Sequence, residues 1–82
     1  MAVILYSTQT CPYCHMARDY LQGLEVEFDN KDVGSDEAAA QEMIDKSQQM
    51  GVPVIEIGDT VIVGFDRDAV RKALADAGII AG

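Results

Sequence analysis

The sequence predicts an α/β domain in which strands and helices follow one another in the order βαβαββα. Three observations support this fold class. Residues 2–6 form a continuous apolar run, typical of a strand buried on both faces. The residues that follow carry apolar side chains at helical spacing, and two later apolar runs are separated only by Gly58-Asp59, the signature of a tight antiparallel hairpin.

The first helix is predicted over residues 12–22. Its apolar positions are Met16, Ala17, Tyr20, Leu21 and Leu24. Pro12 takes the first helical position, where the missing N–H is no loss, and Gly23 is expected to close the helix in a left-handed conformation.

Residues 25–29 alternate acidic and apolar side chains, so we expect a second strand at a sheet edge with Val26 and Phe28 facing the core. A right-handed crossover through the first helix makes this strand parallel to the first. Ser35 is the predicted N-cap of the second helix. The buried stripe of that helix is expected to contain Ala39, Ala40, Met43, Ile44 and Met50.

Pro53 precedes the third predicted strand, residues 54–57, and residues 60–63 return as its hairpin partner. Asp66 is the expected N-cap of the third helix and Gly78 its end. The apolar face of this helix comprises Ala69, Val70, Ala73, Leu74 and Ala77, with Ile79 and Ile80 folding back onto the core. Residues 1–82 thus read as one domain with a four-stranded mixed sheet flanked by three helices.

Composition narrows the possible partners. Fourteen acidic side chains against six basic ones give a formal charge of −8, which argues against nucleic acid and anionic membranes. No apolar run is long enough to span a bilayer and no signal peptide is recognisable, so we expect a cytoplasmic monomer in a reducing compartment. The acids concentrated in residues 25–46 predict a solvated face, or alternatively steering toward a basic partner protein.

Both cysteines of the chain lie two residues apart, where the first strand gives way to the first helix. The free N–H groups and the dipole at a helix start favour a thiolate at Cys11. Cys14 follows one turn later, within reach of Cys11 and deeper in the fold. The spacing therefore predicts an attacking Cys11 and a resolving Cys14 in thiol–disulfide exchange.

Other interpretations of the pair are weaker. A structural disulfide across so short a loop would contribute on the order of 2 kcal/mol or less. A structural zinc site needs four ligands, and the chain has two cysteines and one histidine. The run from Cys11 to His15 matches the C-x-x-C-H haem-attachment pattern, but the α/β pattern and the missing signal peptide disfavour it. His15 is expected to be solvated and, with Arg18, to add positive potential near the thiolate.

Three motifs at these spacings resemble the glutaredoxin family over nearly the whole chain. They are Cys11-Pro12-Tyr13-Cys14 after a buried strand, Val52-Pro53 before the third strand, and Gly64-Phe65-Asp66 before the last helix. The resemblance implies the thioredoxin fold, a dithiol redox centre at Cys11 and Cys14, and a cis peptide bond between Val52 and Pro53.

The resemblance also implies a binding site without a metal or a tightly bound cofactor. Val52 would pair with the substrate chain in strand-like fashion. Glutathione is the expected co-substrate. The substrate- and glutathione-binding positions so implied are Pro12, Tyr13, Val52, Pro53, Gly64, Phe65 and Asp66.

Two departures from the family pattern bear on the partner. Thr8 stands where many glutaredoxins have a lysine that helps bind a glutathione carboxylate, and Gly64-Phe65 replaces a common Gly-Gly pair. Both fit better with short glutaredoxin-like proteins, including electron donors of ribonucleotide reductase, some of which are recharged by thioredoxin reductase.

We therefore predict a small dithiol oxidoreductase that reduces protein or glutathione mixed disulfides. Its partners would be glutathione or thioredoxin reductase, together with disulfide-containing clients. One alternative is the electron donor to ribonucleotide reductase. Another is an iron–sulfur carrier in which two subunits hold a cluster through Cys11 and glutathione, although Pro12 and Tyr13 resemble the dithiol enzymes more.

Overall fold

Strands and helices follow the predicted order βαβαββα in the computed structural model, which describes residues 3–80. The elements are β1 (Val3–Ser7), α1 (Pro12–Gly23), β2 (Asp29–Asp32), α2 (Glu37–Ser47), β3 (Val54–Ile57), β4 (Thr60–Val63) and α3 (Arg67–Asp76). Ala2, the predicted start of the first strand, lies outside the described residues. No helix in residues 3–80 is long and apolar enough to cross a membrane.

The four strands form one mixed sheet in the order β2-β1-β3-β4. β1 runs parallel to β2 and antiparallel to β3, and β3 and β4 form the expected antiparallel hairpin. Gly58 begins the two-residue hairpin turn with φ +58°, a conformation that glycine adopts without steric cost. The predicted mixed sheet with three helices is confirmed.

Alternation along the strands divides the core into two parts. The two-helix face is the apolar cluster that α1 and α3 cover; its buried members are Val3, Leu5, Ala17, Leu21, Val26, Ile55, Ile57, Val70 and Leu74. The one-helix face lies under α2 and buries Tyr6, Met43 and Val54. β1 contributes to both faces, which confirms that it is a fully buried strand.

Ion pairs surround the buried part of the one-helix face. The Lys46 ammonium lies 2.6 Å from Glu56 Oε2 and donates to the Tyr6 hydroxyl at 3.4 Å. Lys31 Nζ lies 2.7 Å from Glu42 Oε2, and Lys46 also reaches the second oxygen of Glu42 at 3.3 Å. Charged groups are therefore held by partners where a single helix leaves the sheet partly open.

The second strand was predicted too early in the chain. Residues 25–29 do not form it, because Gly23 stays in α1 and Glu25 takes the left-handed conformation with φ +59°. The Glu25 N–H donates to Gln22 O at 3.0 Å and the Val26 N–H to Leu21 O at 3.1 Å, a Schellman cap. Val26 is buried and Phe28 half-buried, as expected, and β2 is an edge strand.

The boundaries of α2 also differ from the prediction. Asp36, not Ser35, is the N-cap, and its Oδ1 accepts from the Ala39 N–H at 3.1 Å. Gln48 ends the helix with φ +64°, so Met50 leaves the helical stripe and is 78% exposed, against the prediction that it is buried.

The rest of the predicted apolar pattern is mixed in outcome. Ala39 and Met43 are buried as predicted, whereas Ala40 and Ile44 are half-buried. Met16 is 49% exposed on the solvent side of α1, so its assignment to the apolar face was wrong.

α3 agrees with the sequence-based expectation. Asp66 Oδ1 accepts from the Ala69 N–H at 3.2 Å, and Gly78, with φ +75°, closes the helix. Ile79 and Ile80 fold back and pack against the two-helix face, as expected.

Candidate active site

Cys11 is the N-cap residue of α1, with Pro12 next to it in the first turn. Its sulfur accepts a hydrogen bond from the Cys14 N–H at 3.3 Å, so it contacts one of the backbone donors that have no partner at a helix start. The Cys11 S–H donates toward Val52 O at 4.0 Å. Cys11 is half-buried and can be reached from solvent. The structure thus places this sulfur where the sequence predicts.

Cys14 lies behind Cys11 and is only 2% exposed. Burial, together with the hydrogen bond to Cys11, raises the pKa of the Cys14 thiol to about 11, while hydrogen bonds from Thr8 act in the opposite direction. Both cysteines are free thiols. The pair is therefore asymmetric, with one accessible sulfur and one covered, protonated sulfur one turn away.

The segment before β3 closes the other side of the cysteine pair. The Val52–Pro53 peptide bond is cis, as the resemblance implied, and Pro53 is buried. Pro53 O accepts from the Gly64 N–H at 2.8 Å, which joins the start of β3 to the residue after β4. This leaves the Val52 main chain facing Cys11.

The predicted positions after β4 differ in what they present. Gly64 has φ +83° and open space beside it. Phe65 packs edge-on against the Tyr20 ring, with centroids 5.9 Å apart, and so belongs partly to the core. The Asp66 carboxylate is occupied as the cap of α3. Only main-chain groups and the Asp66 rim remain available to a ligand here.

Exposed apolar side chains lie near the cysteine pair. Tyr13 follows Cys11 by two residues and is 62% exposed, and Pro12 beside it is also exposed. Val63 ends β4 opposite Val54, next to Pro53, and is 52% exposed. Met50, two residues before Val52, was expected in the core and is instead on the surface. An apolar rim of this kind suits contact with another molecule.

His15 connects the helix to the loop before Cys11. Its Nε2 lies 2.7 Å from Gln9 O, and its Nδ1 lies 2.7 Å from Arg18 Nη2. Since arginine only donates, Nδ1 must accept and Nε2 must carry the proton, which assigns a neutral imidazole. His15 is half-buried and acts as a bridge, so the expectation of a merely solvated residue was wrong.

The loop before Cys11 borders an open cleft of about 370 Å³. Thr8 lines it together with Asp32 and Gly34. The Asp32 carboxylate accepts from Gln9 Nε2 at 3.2 Å and from the Gly34 N–H at 2.9 Å. A carboxylate ligand bound beside Thr8 would therefore meet an acidic side chain and no cation on this side.

Sequence reasoning gave no role to Gln49, whose side chain binds both polar groups of the Gly51 peptide next to Val52. The only signal in the sequence is an amide two residues before a glycine and four before Pro53. That signal is too common to be read without the structure.

Comparison with known proteins agrees with the geometry. The glutaredoxin family model matches residues 3–62. An uncharacterized glutaredoxin-like 8.6 kDa protein from the rubredoxin operon of Clostridium pasteurianum is 39% identical over 70 residues, covering 85% of this chain and 93% of that protein. Glutaredoxin 3 of Escherichia coli K12 is 38% identical over 64 residues, covering 78% of this chain and 77% of its own.

Among solved structures, the glutaredoxin-like protein NrdH-redoxin of Escherichia coli superposes with a TM-score of 0.79 at 22% identity. The match covers 88% of this chain and 93% of that one, and it establishes the likeness of fold. Taken with the family model and the curated relatives, it identifies this chain as a glutaredoxin-like member of the glutaredoxin family, with the thioredoxin fold.

Proposed function

We propose that this protein is a dithiol thiol–disulfide oxidoreductase in which Cys11 is the nucleophile and Cys14 the resolving thiol. The observation that carries the proposal is the asymmetry of the pair. The Cys11 sulfur is reachable and receives the Cys14 N–H at 3.3 Å, while Cys14 is 2% exposed behind it. A helix start of this kind favours negative charge on the outer sulfur.

The reaction would proceed in two exchanges. The Cys11 thiolate attacks one sulfur of a substrate disulfide, forms a mixed disulfide and releases the first substrate thiolate, which takes up a proton. Cys14 then gives up its proton and attacks the Cys11 sulfur, releasing the second substrate thiol and leaving a Cys11–Cys14 disulfide. Two electrons pass from the protein to the substrate, and a reductant must restore the dithiol.

The high pKa of Cys14 has a use in this sequence. A resolving thiol that stays protonated in the resting protein does not compete with Cys11 for solvent disulfides. Once Cys11 is tied up in a mixed disulfide, its hydrogen bond no longer raises the Cys14 pKa, whereas the hydrogen bonds from Thr8 still lower it. The second step would then be favoured only after the first.

The surroundings of the pair would bind the substrate. Val52 offers main-chain groups beside Cys11, in the manner of β-augmentation, with Pro53 fixing the start of β3. Pro12 and Tyr13 would contact the substrate on the helix side. Gly64, Phe65 and Asp66 would contribute main-chain groups where α3 begins.

Two serine variants test the roles of the sulfurs. Cys11→Ser should abolish reduction of a glutathionylated peptide, whereas Cys14→Ser should accumulate a covalent adduct on Cys11. Intact-protein mass spectrometry, before and after treatment with a reducing agent, detects the adduct. Full activity in Cys11→Ser, or an adduct on Cys14 in wild type, would show that the roles are assigned wrongly.

The reductant has two candidates: glutathione with its reductase, or thioredoxin reductase. Thr8 beside the Asp32 carboxylate favours the second, because the cleft lacks a cation for a glutathione carboxylate. In the Escherichia coli protein NrdH-redoxin, the same fold carries a thioredoxin-like activity profile. A role as electron donor to ribonucleotide reductase is the corresponding second candidate function.

Supplying NADPH with each reductase separately distinguishes the two reductants. Thr8→Lys sharpens the test, since a surface ion pair worth about 0.5–1 kcal/mol would lower the KM for glutathione roughly two- to fivefold. Thr10→Lys, two residues along the same loop and exposed, is the matched control. Strong turnover of wild type with glutathione alone would exclude the thioredoxin-reductase candidate.

We also propose a cytoplasmic monomer that acts on protein partners. A reducing compartment would keep both thiols reduced, and a formal charge of −8 opposes self-association. Sedimentation equilibrium at physiological salt checks the monomer; a concentration-dependent dimer would contradict it.

A further inference from the structure

A side chain outside the two cysteine motifs holds the segment that faces Cys11. The Gln49 carboxamide bonds both polar groups of one residue: Oε1 accepts from the Gly51 N–H at 2.5 Å, and Nε2 donates to Gly51 O at 3.0 Å. This is the donor and acceptor pair that a neighbouring β-strand would offer. Gly51 is thus paired as in a sheet, although no strand lies beside it.

The same carboxamide is anchored to α2. Its second N–H donates to Ser47 Oγ at 3.2 Å, and the Ser47 hydroxyl donates to Met43 O at 2.6 Å in the last turn of the helix. Met43 is 2% exposed. A chain of hydrogen bonds therefore runs from a buried helical residue to Gly51. An amide turned the other way would face the Gly51 N–H with a donor, so the network fixes its orientation.

Val52, the next residue, is left with unused main-chain groups. Its N–H makes no hydrogen bond within residues 3–80, and its carbonyl has only the Cys11 sulfur, at 4.0 Å. The bracket on Gly51 and the cis bond to Pro53 hold Val52 from both sides. A peptide substrate that lies along this edge would find the N–H and C=O of Val52 already aligned.

We propose that Gln49 is a positioning residue for peptide-containing disulfides, which acts by holding Gly51 so that Val52 can pair with the substrate main chain. The inference rests on the proposed function, because it assigns the pairing edge for that reaction. It predicts a selective defect: substrates with a peptide backbone depend on Gln49, and disulfides without one do not.

Two variants remove the bracket by opposite means. Gln49→Ala deletes the carboxamide. Gly51→Ala keeps Gln49 but expels it, because a Cβ on Gly51 would lie 2.7 Å from Gln49 Oε1. Gln41→Ala is the matched control, since the Gln41 amide bonds only the exposed Asp45 carboxylate on the surface of α2.

The experiment measures second-order rate constants of the reduced protein with two disulfides. One is a short peptide joined to glutathione through a disulfide; the other is dithiodipyridine, which has no peptide group. In each reaction, the dithiol becomes a disulfide and two substrate thiols are released. Circular dichroism and thermal unfolding confirm that every variant is folded.

We expect both bracket variants to react with the peptide disulfide roughly five- to tenfold more slowly, which corresponds to the loss of one or two positioning hydrogen bonds. Their rates with dithiodipyridine should stay within about twofold of wild type, and Gln41→Ala should be unchanged with both substrates. The same split in both variants supports the proposal.

Three results would overturn it. Equal losses with both disulfides would mean that the bracket acts on Cys11 or on the fold as a whole. Unchanged rates with both would mean that Gln49 has no positioning role, while the proposed oxidoreductase would stand. Failure of wild type to reduce either disulfide would remove the proposed function and this inference with it.

Discussion

The two faces of the sheet solve the burial of ionisable groups in opposite ways. The two-helix face is apolar and reaches the site through Cys14, which burial keeps in the neutral thiol form with a pKa of about 11. The one-helix face keeps its ionisable groups charged. Its hydrogen bond with Glu56 raises the pKa of Lys46, and its hydrogen bond with Lys31 lowers the pKa of Glu42.

The cause is the number of helices on each side. Two helices exclude water from their face, so charge is too costly there. α2 alone leaves the other face partly open, and a charged pair is tolerated if each member keeps its partner. Glu56 Oε2 is itself buried without a well-aligned hydrogen bond among the described residues, so the Lys46 ammonium at 2.6 Å is what compensates its charge.

The largest effect should come from a cavity in the two-helix face. Leu74 is fully buried on α3, and Leu74→Ala is expected to lower the free energy of unfolding by about 3–4 kcal/mol. Met16→Ala, which truncates a half-exposed side chain on α1, should change it by less than about 0.5 kcal/mol. Urea denaturation measures both. A cost for Leu74→Ala below that of Met16→Ala would contradict the division of the core.

The next effect tests the neutral thiol on that face. The folded pKa of Cys14 is raised from 9.0 to about 11, so its stabilising contribution is complete below pH 9 and is lost as the pH rises to 11. Two units correspond to about 2–3 kcal/mol. Comparing reduced wild type with Cys14→Ala over this range isolates the term, because other alkaline transitions are shared. A difference that does not change with pH would show that Cys14 is not protected.

On the one-helix face, removing one partner should cost more than removing both. Lys46→Met leaves the Glu56 carboxylate unpaired and is expected to cost about 1–2 kcal/mol. Adding Glu56→Leu to that variant should recover at least half of the loss. The double-mutant cycle at neutral pH measures the coupling. Strictly additive costs would show that the pair acts as two independent surface charges.

The smallest effect concerns the cap that brings Val26 to the two-helix face. Glu25 has φ +59°, where glycine is favoured, so Glu25→Gly should stabilise the protein by about 0.5–1 kcal/mol. Glu27→Gly is the matched control, exposed and two residues away, and should be destabilising. Thermal unfolding ranks the two variants; the reverse order would exclude strain at Glu25.

These comparisons also show which parts of the fold can be predicted from sequence. β1, the β3–β4 hairpin and α3 were predicted correctly, because apolar periodicity and turn residues act together there. β2 was not, since its sequence Asp-Asn-Lys-Asp has no apolar pattern and its main-chain pairing with β1 decides the strand. Gly23 was the expected cap by propensity, whereas the chain closes α1 two residues later, at a glutamate.

The site divides in the same way. Cys11, Cys14, Pro53 and Asp66 could be placed from the sequence because each stands at an element boundary with its own local signal. The bracket formed by Gln49 could not, because a side chain that bonds the main chain of its own loop leaves no periodic trace. The exposure of Met50 depended on the helix ending at Gln48, a left-handed residue that is not glycine.

The hairpin turn at Gly58 and Asp59 lies at the far end of the sheet from the cysteines. β1 begins there, where Val3 pairs with Ile57, and leads toward Cys11 from its other end at Ser7. A peptide tag or a fluorescent dye grafted onto this turn would stand at the opposite pole of the molecule from the reacting sulfurs. The fold thus offers a natural handle for immobilising or tracking the protein while its chemistry proceeds.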